Sequence, residues 1–360
     1  RFNWMILAHT QSYYLTFIQF IEWTGYLAIS FLLVFFAVSL YSIQRFRRKE
    51  RWILPVFSAL LILTLIIYGT FRVRQIDRQE YRLIDTALIQ PNVDPYLKWD
   101  TGFKERAFEM LMSKSREIVK QNPDLIIWPE TATPFHLRNH PDVLSSIAEF
   151  TSTNHVYLLT GTPDYGYSSD SSAGYTFNAA FLFSPGQPEL EKYYKIALVP
   201  GSETIPFKTL LPSLRKFDLG GGDFFPGKDF TVFRLRIPER IGHFNGLEYR
   251  TSGKIKNDTL EIGFSAVICY ESVFPHLVRR FIDSGANLLA IITNDGWFGV
   301  TSGPFQHARF AVFRAIENRV SIIRCTNTGI SCFIDPTGRI LQKKGLNIPA
   351  KMNARLPIIL

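Results

Sequence analysis

Two long apolar stretches stand near the start of the chain. Residues 25–43 and 53–71 are each 19 residues long and contain no charged side chain. A helix needs roughly 20 apolar residues to cross the hydrocarbon core of a bilayer. We therefore expect two transmembrane helices, with two helices buried in a soluble core as the alternative.

The segment between the two stretches is basic. Residues 44–51 carry five Lys or Arg side chains. Basic loops stay preferentially in the cytoplasm, so this hairpin predicts that the chain beyond about residue 80 faces the periplasm or the cell exterior. Three arginines soon after the second stretch, Arg72, Arg74 and Arg78, weaken the charge asymmetry.

Beyond residue 80, strand-like and helix-like patterns alternate. Such alternation predicts an α/β domain with helices covering the faces of a sheet. A turn at residues 335–338 closes a hairpin, whereas residues 237–260 are polar without a clear period and are interpreted as an insertion. The strand-like runs are 83–90, 124–128, 156–160, 266–269, 286–293 and 321–326, and the helical ones are 103–119 and 305–318.

Composition narrows the possible functions. The formal charge of +9 would suit nucleic acid or anionic lipid, but the sequence has no zinc-finger or RNA-binding signature, so we do not expect nucleic acid as a partner. The cysteines are Cys269, Cys325 and Cys332. They are too few for a disulfide framework and lack metal-ligand spacing, so no metal is expected.

Three reactive side chains follow buried apolar runs, namely Glu130, Lys195 and Cys269. Ligands of α/β sheets bind at the carboxyl ends of strands, where such residues are expected. Taken singly, each has an ordinary explanation, as a helix cap, a surface charge or a small core residue. Cys325 and Cys332 keep that ordinary explanation, since neither has an acid or base beside it.

As a set, the three residues are the parts that acyl transfer requires. A thiolate is a strong nucleophile, which predicts Cys269 as the attacking group. Glu130 would take the thiol proton as general base, and the Lys195 ammonium would stabilise an oxyanion. The N–H of Tyr270 is a candidate second oxyanion donor. Glu271 would oppose thiolate formation, so we assign it to orienting Lys195 or the substrate.

Several motifs between residues 87 and 336 carry a family resemblance: ALIQPN, LKW, IIWPET, KIALVPGSETIPF, VICYES and TNDGWFGVTSGPFQH, followed by RAIENR. With them the chain resembles the nitrilase superfamily, whose members use a Glu-Lys-Cys triad on an αββα sandwich. Within that superfamily it resembles the apolipoprotein N-acyltransferases. IEWTG, leading into the first apolar stretch, also fits these enzymes.

The resemblance implies the same triad of Glu130, Lys195 and Cys269. It also implies a functional tryptophan at Trp99, a second essential acid at Glu203, and a role for the pair that follows the nucleophile, Tyr270 and Glu271. The sequence departs from the family at Gly201-Ser202 in place of an aromatic residue and glycine, at Ala197 in place of a frequent histidine, and at Val312 in place of a common arginine. These departures bear on loop geometry and lipid contacts.

The resemblance further implies the domain plan. Residues 1–24 would be a loop leading into the membrane, residues 25–71 two transmembrane helices with the cytoplasmic hairpin at 44–51, and residues 80–345 the catalytic domain. Residues 346–360 would connect toward a further transmembrane helix. Members of the family have several spans before the first one here, so we expect this chain to be part of a longer protein.

The implied reaction moves a fatty acyl chain from a phospholipid, expected to be phosphatidylethanolamine, through a thioester on Cys269 to the N-terminal amine of a diacylglyceryl-cysteine on an apolipoprotein. No cofactor is needed, and the protein is expected to be a monomer in the bacterial inner membrane with its catalytic domain in the periplasm. The alternatives are a membrane-tethered amidase or nitrilase and an inactive binding module. His307, without an Asn/Asp pattern that would support a Cys-His triad, is predicted to be structural.

Overall fold

The computed structural model describes residues 4–46, 49–94, 101–167, 174–204 and 224–360, with the side chains of residues 101, 167 and 253–257 excepted. The chain begins with a 3-10 turn and four helices and continues into a large sheet flanked by four more helices. The helices are α1 (Leu15–Ile18), α2 (Ile21–Thr24), α3 (Leu27–Arg45), α4 (Ile53–Asp77), α5 (Thr101–Ile118), α6 (Pro141–Asn154), α7 (Pro275–Asp283) and α8 (Gly303–Asn318).

Helices α3 and α4 coincide with the two apolar stretches. Both are long and apolar enough to cross a membrane by length and composition, and only 17% of the apolar window of each is buried. A helix in a soluble core would bury most of that surface. Helix α4 extends six residues beyond the predicted end at Phe71, because residues 72–77 contain neither Gly nor Pro to stop it.

Within the described residues the sheet has twelve strands. They are β1 (Tyr81–Gln90), β2 (Leu125–Ile127), β3 (Tyr157–Tyr167), β4 (Gly174–Phe183), β5 (Glu191–Tyr194), β6 (Phe233–Phe244), β7 (Tyr249–Ile268), β8 (Leu288–Thr293), β9 (Ser321–Thr326), β10 (Ser331–Ile334), β11 (Ile340–Lys344) and β12 (Ala350–Ile358). Their order is β11-β10-β9-β8-β7-β6-β1-β2-β3-β4-β5, with β12 also paired to β1. Strands β7, β8 and β9 run parallel to one another, as do β1, β2 and β3.

The two halves of the sheet lie face to face. They are joined where β1 meets β6 through only Tyr81 and Arg82. Cys325 of β9 lies 3.3 Å from the carbonyl oxygens of Ile89 and Ile127, which belong to the other half. Apolar residues of α5 and α6 cover one outer face, and those of α7 and α8 pack on the other half. The predicted αββα layering is thereby confirmed.

The interpretation of residues 237–260 as an insertion was wrong. They belong to the long antiparallel hairpin of β6 and β7. Buried and exposed residues do alternate along β6, from Phe233 through Leu235 to Ile237. Register shifts between Pro238 and Gly242 break that alternation, and a bulged strand has no continuous period of two.

The predicted limits of the catalytic domain also need correction. Strand β12 pairs antiparallel with β1 from Ala350 to Ile358, so the sheet extends past residue 345. Its alternate residues Met352, Ala354 and Leu356 are buried, an alternation too short to predict a strand by itself. Residues 4–24, expected to be a loop, instead form a 3-10 turn at Leu7–Gln11 and helices α1 and α2.

A buried ion-pair cluster joins the apolar helices to the sheet domain. Glu22 of α2 accepts hydrogen bonds from Arg72 of α4 at 3.0 Å and from Arg319, directly after α8, at 2.7 Å. The Arg319 guanidinium also donates to the Gln19 side chain at 2.6 Å. The Glu22 side chain is only 6% exposed. These contacts fix α4 relative to α8, which packs beside the site described below.

Substitution of Glu22 by Gln is expected to destabilise the protein by about 2–3 kcal/mol, because two partly buried guanidinium groups lose their counter-ion. Thermal and urea unfolding in one detergent would measure this. The matched control is Arg279→Ala, which removes an ion pair with Asp283 whose two side chains are 59% and 56% exposed. Exposed pairs contribute little, so that control should change stability by less than about 0.5 kcal/mol.

The ion pairs of Glu22 also predict that the stability of the protein depends on pH. Burial alone would raise the pKa of Glu22, but Arg319 and Arg72 hold it at about 2. A lowered carboxyl pKa contributes stability that is complete above its unfolded value of roughly 4.3 and is lost as pH falls toward the folded value. The difference in stability between wild type and Glu22→Gln should therefore shrink from pH 4.5 toward pH 2. A difference that stays constant over this range would contradict the assignment.

Candidate active site

Cys269 stands at a sharp turn. It follows the last residue of β7 and begins a 3-10 turn, Cys269–Val273. Its backbone has a φ of +52°, a left-handed conformation that residues other than glycine rarely adopt and that occurs disproportionately at functional sites. The turn directs the chain away at the carboxyl end of β7, beside β8.

Glu130 lies opposite, shortly after the end of β2. Its Oε1 accepts a hydrogen bond from Asn178 Nδ2 at 2.8 Å and lies 3.4 Å from Lys195 Nζ. Its Oε2 accepts from the backbone N–H of Asn294 at 3.0 Å. Three strands therefore orient this carboxylate, since Asn178 lies on β4, Lys195 follows β5 and Asn294 follows β8.

Lys195 directly follows β5, and its N–H donates to the carbonyl of Asn178 at 2.9 Å. The ammonium is 1% exposed and lies 2.8 Å from Oε1 of Glu203. Burial alone would lower the pKa of Lys195, but the carboxylates of Glu203 and Glu130 raise it above its ordinary value. Burial would likewise raise the pKa of Glu203, and Lys195 reverses this to a net lowering. The site thus holds a charged lysine between two carboxylates.

Asn178 is a further member of the site that the motifs did not indicate. Its Nδ2 donates to both Glu130 and Glu203 at 2.8 Å, which keeps the two carboxylates on either side of Lys195. A polar residue inside the apolar run of β4 was the available signal. Its function could not be assigned because its partners come from distant parts of the chain.

The surroundings of Cys269 oppose ionisation of its thiol. Burial raises the pKa of the thiol, the Glu130 carboxylate raises it further, and Lys195 only partly opposes them. A thiol with a raised pKa needs a base to remove its proton before it can attack. Glu130 is the carboxylate with the largest effect on that pKa.

Glu271 links the cysteine and lysine segments. Its Oε1 accepts hydrogen bonds from Tyr193 Oη at 2.7 Å and from the N–H groups of Ile196 and Ala197 at 2.7 and 3.1 Å. Its Oε2 accepts from the N–H of Ile268 at 2.8 Å. Glu271 therefore contacts the backbone that directly follows Lys195. Burial raises the pKa of Glu271 despite these donors.

Replacing Glu271 with Gln is expected to destabilise the protein by about 2–4 kcal/mol, because an amide N–H₂ would face donors and leave buried groups unsatisfied. Acyl-enzyme formation should fall about 100-fold as the two segments separate. Unfolding in detergent and rapid-quench kinetics would measure both. The control Glu261→Gln alters an exposed carboxylate of β7 and should change neither; a Glu271→Gln protein as active as that control would exclude the linking role.

The other predicted site residues are Glu203, Tyr270 and Trp99. Glu203 joins the cluster through Lys195, Asn178 and the N–H of Val199. The Tyr270 ring is partly exposed and packs edge-on against Phe274 at 4.8 Å. Within the described residues, no hydrogen bond joins that ring to the site carboxylates. Trp99 lies outside the described residues.

His307 does have an acidic partner, contrary to the sequence interpretation. Its Nδ1 lies 2.7 Å from Oδ1 of Asp295. Its Nε2 faces the carbonyl oxygen of Cys269 at 3.1 Å, which places it behind the nucleophile on the backbone side. Asp295 and His307 are twelve residues apart, and the turn after β8 brings them together. Within the described residues no group of three or more His, Cys, Asp or Glu side chains could hold a metal.

Residues 85–348 match the family model of the carbon-nitrogen hydrolases. The chain belongs to the carbon-nitrogen hydrolase family. This confirms the superfamily that the motifs predicted. Two relatives of this carbon-nitrogen hydrolase chain are named apolipoprotein N-acyltransferase. The one from Geobacter metallireducens is 34% identical over 361 residues, covering 99% of this chain and 64% of the relative.

The second, from Chlorobaculum tepidum, is 31% identical over 360 residues, covering 94% of this chain and 63% of the relative. The chain therefore spans less than two thirds of the length of these two curated relatives.

Solved structures support the fold of this carbon-nitrogen hydrolase. An amidase of the nitrilase superfamily from Nesterenkonia AN1 superposes with a TM-score of 0.51 at 17% identity, covering 76% of this chain and 90% of the amidase. In another structure of that amidase, with a TM-score of 0.51 at 17% identity over 78% of this chain and 92% of the amidase, the acetamide moiety of fluoroacetamide is added covalently at the active-site cysteine.

Proposed function

We propose that this chain is the catalytic part of an apolipoprotein N-acyltransferase. The observation that carries the proposal is the buried cluster of Glu130, Lys195 and Glu203 beside the turn at Cys269, in a chain whose two apolar helices are docked on the same domain. The relatives named apolipoprotein N-acyltransferase support it, since they match 99% and 94% of this chain. The triad of Glu130, Lys195 and Cys269 is part of the proposal.

In the first half-reaction, Glu130 takes the proton of the Cys269 thiol, and the thiolate attacks the ester carbonyl of a phospholipid. The Lys195 ammonium and the N–H of Tyr270 stabilise the tetrahedral oxyanion. The C–O ester bond then breaks. The lysophospholipid leaves with the proton from Glu130, and a thioester remains on Cys269.

In the second half-reaction, the N-terminal amine of a diacylglyceryl-cysteine attacks the thioester. Glu130 accepts the amine proton, an amide bond forms, and Cys269 leaves as a thiolate that is reprotonated. An amine outcompetes water only where it is held in position and water is scarce. Phosphatidylethanolamine as donor and a diacylated apolipoprotein as acceptor are the substrates that we propose.

We also propose that α3 and α4 cross the bacterial inner membrane in a monomer, with the hairpin at 44–51 in the cytoplasm and the catalytic domain in the periplasm. The distribution of basic side chains supports this orientation. Residues 44–51 carry five Lys or Arg, whereas residues 72–78, at the other end of α4, carry three. Lys and Arg are retained preferentially on the cytoplasmic side.

The test is intact-protein mass spectrometry of the full-length parent protein in detergent with phosphatidylethanolamine. We expect a mass gain of one acyl chain that hydroxylamine removes, located on the peptide containing Cys269. Addition of a diacylated lipopeptide should then clear the adduct and yield an N-acylated peptide. If folded protein forms no adduct with any of several phospholipids, yet hydrolyses small amides, a membrane-tethered amidase replaces this proposal. Absence of both activities would favour the binding module.

A further inference from the structure

A second charged cluster lies behind the nucleophile. His307 of α8, Asp295 from the turn after β8 and Arg324 of β9 are each at most 1% exposed. Asp295 lies between the other two side chains, with Oδ1 2.7 Å from His307 Nδ1 and Oδ2 2.9 Å from Arg324 Nη2. The proposed reaction assigns no step to these residues.

The second nitrogen of His307 faces the turn that carries the nucleophile. Nε2 lies 3.1 Å from the carbonyl oxygen of Cys269 and 3.1 Å from Oγ of Ser272. The Ser272 hydroxyl donates its own proton to the Cys269 carbonyl at 2.8 Å. Both ring nitrogens therefore face acceptors, a carboxylate on one side and a carbonyl with a hydroxyl oxygen on the other. Only the doubly protonated ring can donate from both nitrogens.

The Asp295 carboxylate anchors this cluster. Burial alone would raise the pKa of Asp295, but Arg324 and His307 hold it below its ordinary value. Its two oxygens therefore hold His307 on one side and Arg324 on the other.

We propose that His307 is a positioning residue for Cys269. Held at Nδ1 by Asp295, it donates from Nε2 to the Cys269 carbonyl and fixes the left-handed turn at the nucleophile. The inference rests on the proposed function in taking Cys269 as the nucleophile. It explains how a non-glycine residue with a φ of +52° is held in one conformation, since such backbone persists only where its surroundings enforce it.

Two substitutions of His307 each keep one of the two hydrogen-bonding positions of its ring. In His307→Gln, the amide N–H₂ takes the place of Nε2 and keeps a donor near the Cys269 carbonyl. In His307→Asn, the amide takes the place of Nδ1, so the contact with Asp295 survives and the contact with Cys269 is lost. The readouts are the rate of alkylation of Cys269 by iodoacetamide, followed by peptide mass spectrometry, and the rate of acyl-enzyme formation with phosphatidylethanolamine.

We expect His307→Asn to slow both rates about 100-fold, the order of effect of a misplaced nucleophile, and His307→Gln to slow them only about 10-fold. The KM for phospholipid should change by less than about 3-fold, because no proposed substrate contact is removed. Ser272→Ala leaves the imidazole–carbonyl contact in place and should remain within about 3-fold of wild type. Equal rates for Asn and Gln, or a Ser272→Ala protein as slow as His307→Asn, would overturn the proposal.

Asp295→Asn keeps hydrogen-bonding capacity at the site but removes the carboxylate charge that holds the His307 ring. If the His307 variants do not fold in detergent, Asp295→Asn tests the proposal in their place. We expect Cys269 to be alkylated slowly in this variant. Alkylation at the wild-type rate would exclude the proposal. The same measurements distinguish failure of this inference from failure of the proposed function. A wild-type protein that forms no acyl-enzyme, but whose Cys269 alkylation slows in His307→Asn, would refute the transferase assignment alone.

Discussion

Substitution of Cys269 by alanine is expected to reduce transfer of the acyl chain by at least about 10⁴-fold, since removing a covalent nucleophile leaves no route through the thioester. Binding of the phospholipid should persist, because the carboxylates and Lys195 remain in place. Turnover with a fluorescent diacylated lipopeptide would measure the loss, and equilibrium binding of a labelled phospholipid would measure retention.

The chain provides matched controls for this substitution. Cys325 and Cys332 are free thiols, fully buried in strands β9 and β10. Alanine at Cys332 should leave turnover within about 3-fold of wild type, at a stability cost of roughly 1 kcal/mol for the small void. Transfer that survives in Cys269→Ala but disappears in Cys332→Ala would move the nucleophile to another residue.

Substitution of Lys195 by methionine is expected to reduce acyl-enzyme formation by about 10³-fold and to destabilise the fold by about 3–5 kcal/mol. The kinetic loss follows from removing the charge that would face the oxyanion. The loss of stability follows because Glu130 and Glu203 would share the Asn178 amide with no cation between them. Single-turnover kinetics and unfolding in detergent would measure the two effects separately.

The double variant Lys195→Met with Glu203→Gln distinguishes charge compensation from catalysis. Removing one carboxylate relieves the repulsion, so about half or more of the lost stability should return. Acyl-enzyme formation should stay low, because the cation is still absent. Recovery of the rate together with stability would mean that Lys195 only neutralises the carboxylates, and its proposed catalytic role would be withdrawn.

For some elements the local pattern of apolar and polar residues was sufficient to predict their type and position. The strand predicted at 321–326 appears as Ser321–Thr326, and the helix predicted at 305–318 as Gly303–Asn318. Strand β6 was not predicted because its bulge breaks the alternation of buried and exposed residues. Strand β12 was not predicted because one short run of alternating residues is weak evidence for a strand. Pairing partners and register belong to the whole sheet, so a window of sequence cannot specify them.

The sequence by itself determined the α/β class, the two apolar helices and the three candidate reactive residues, because each depends on composition and on motifs that are contiguous in the chain. Only the tertiary structure decided which groups surround those residues. Asn178 bridges Glu130 and Glu203, which lie 48 and 25 residues away from it, and His307 reaches Cys269 across 38 residues. Such contacts arise because the folded sheet and the helix α8 packed on it bring distant segments together, and separation along the chain carries no record of that proximity.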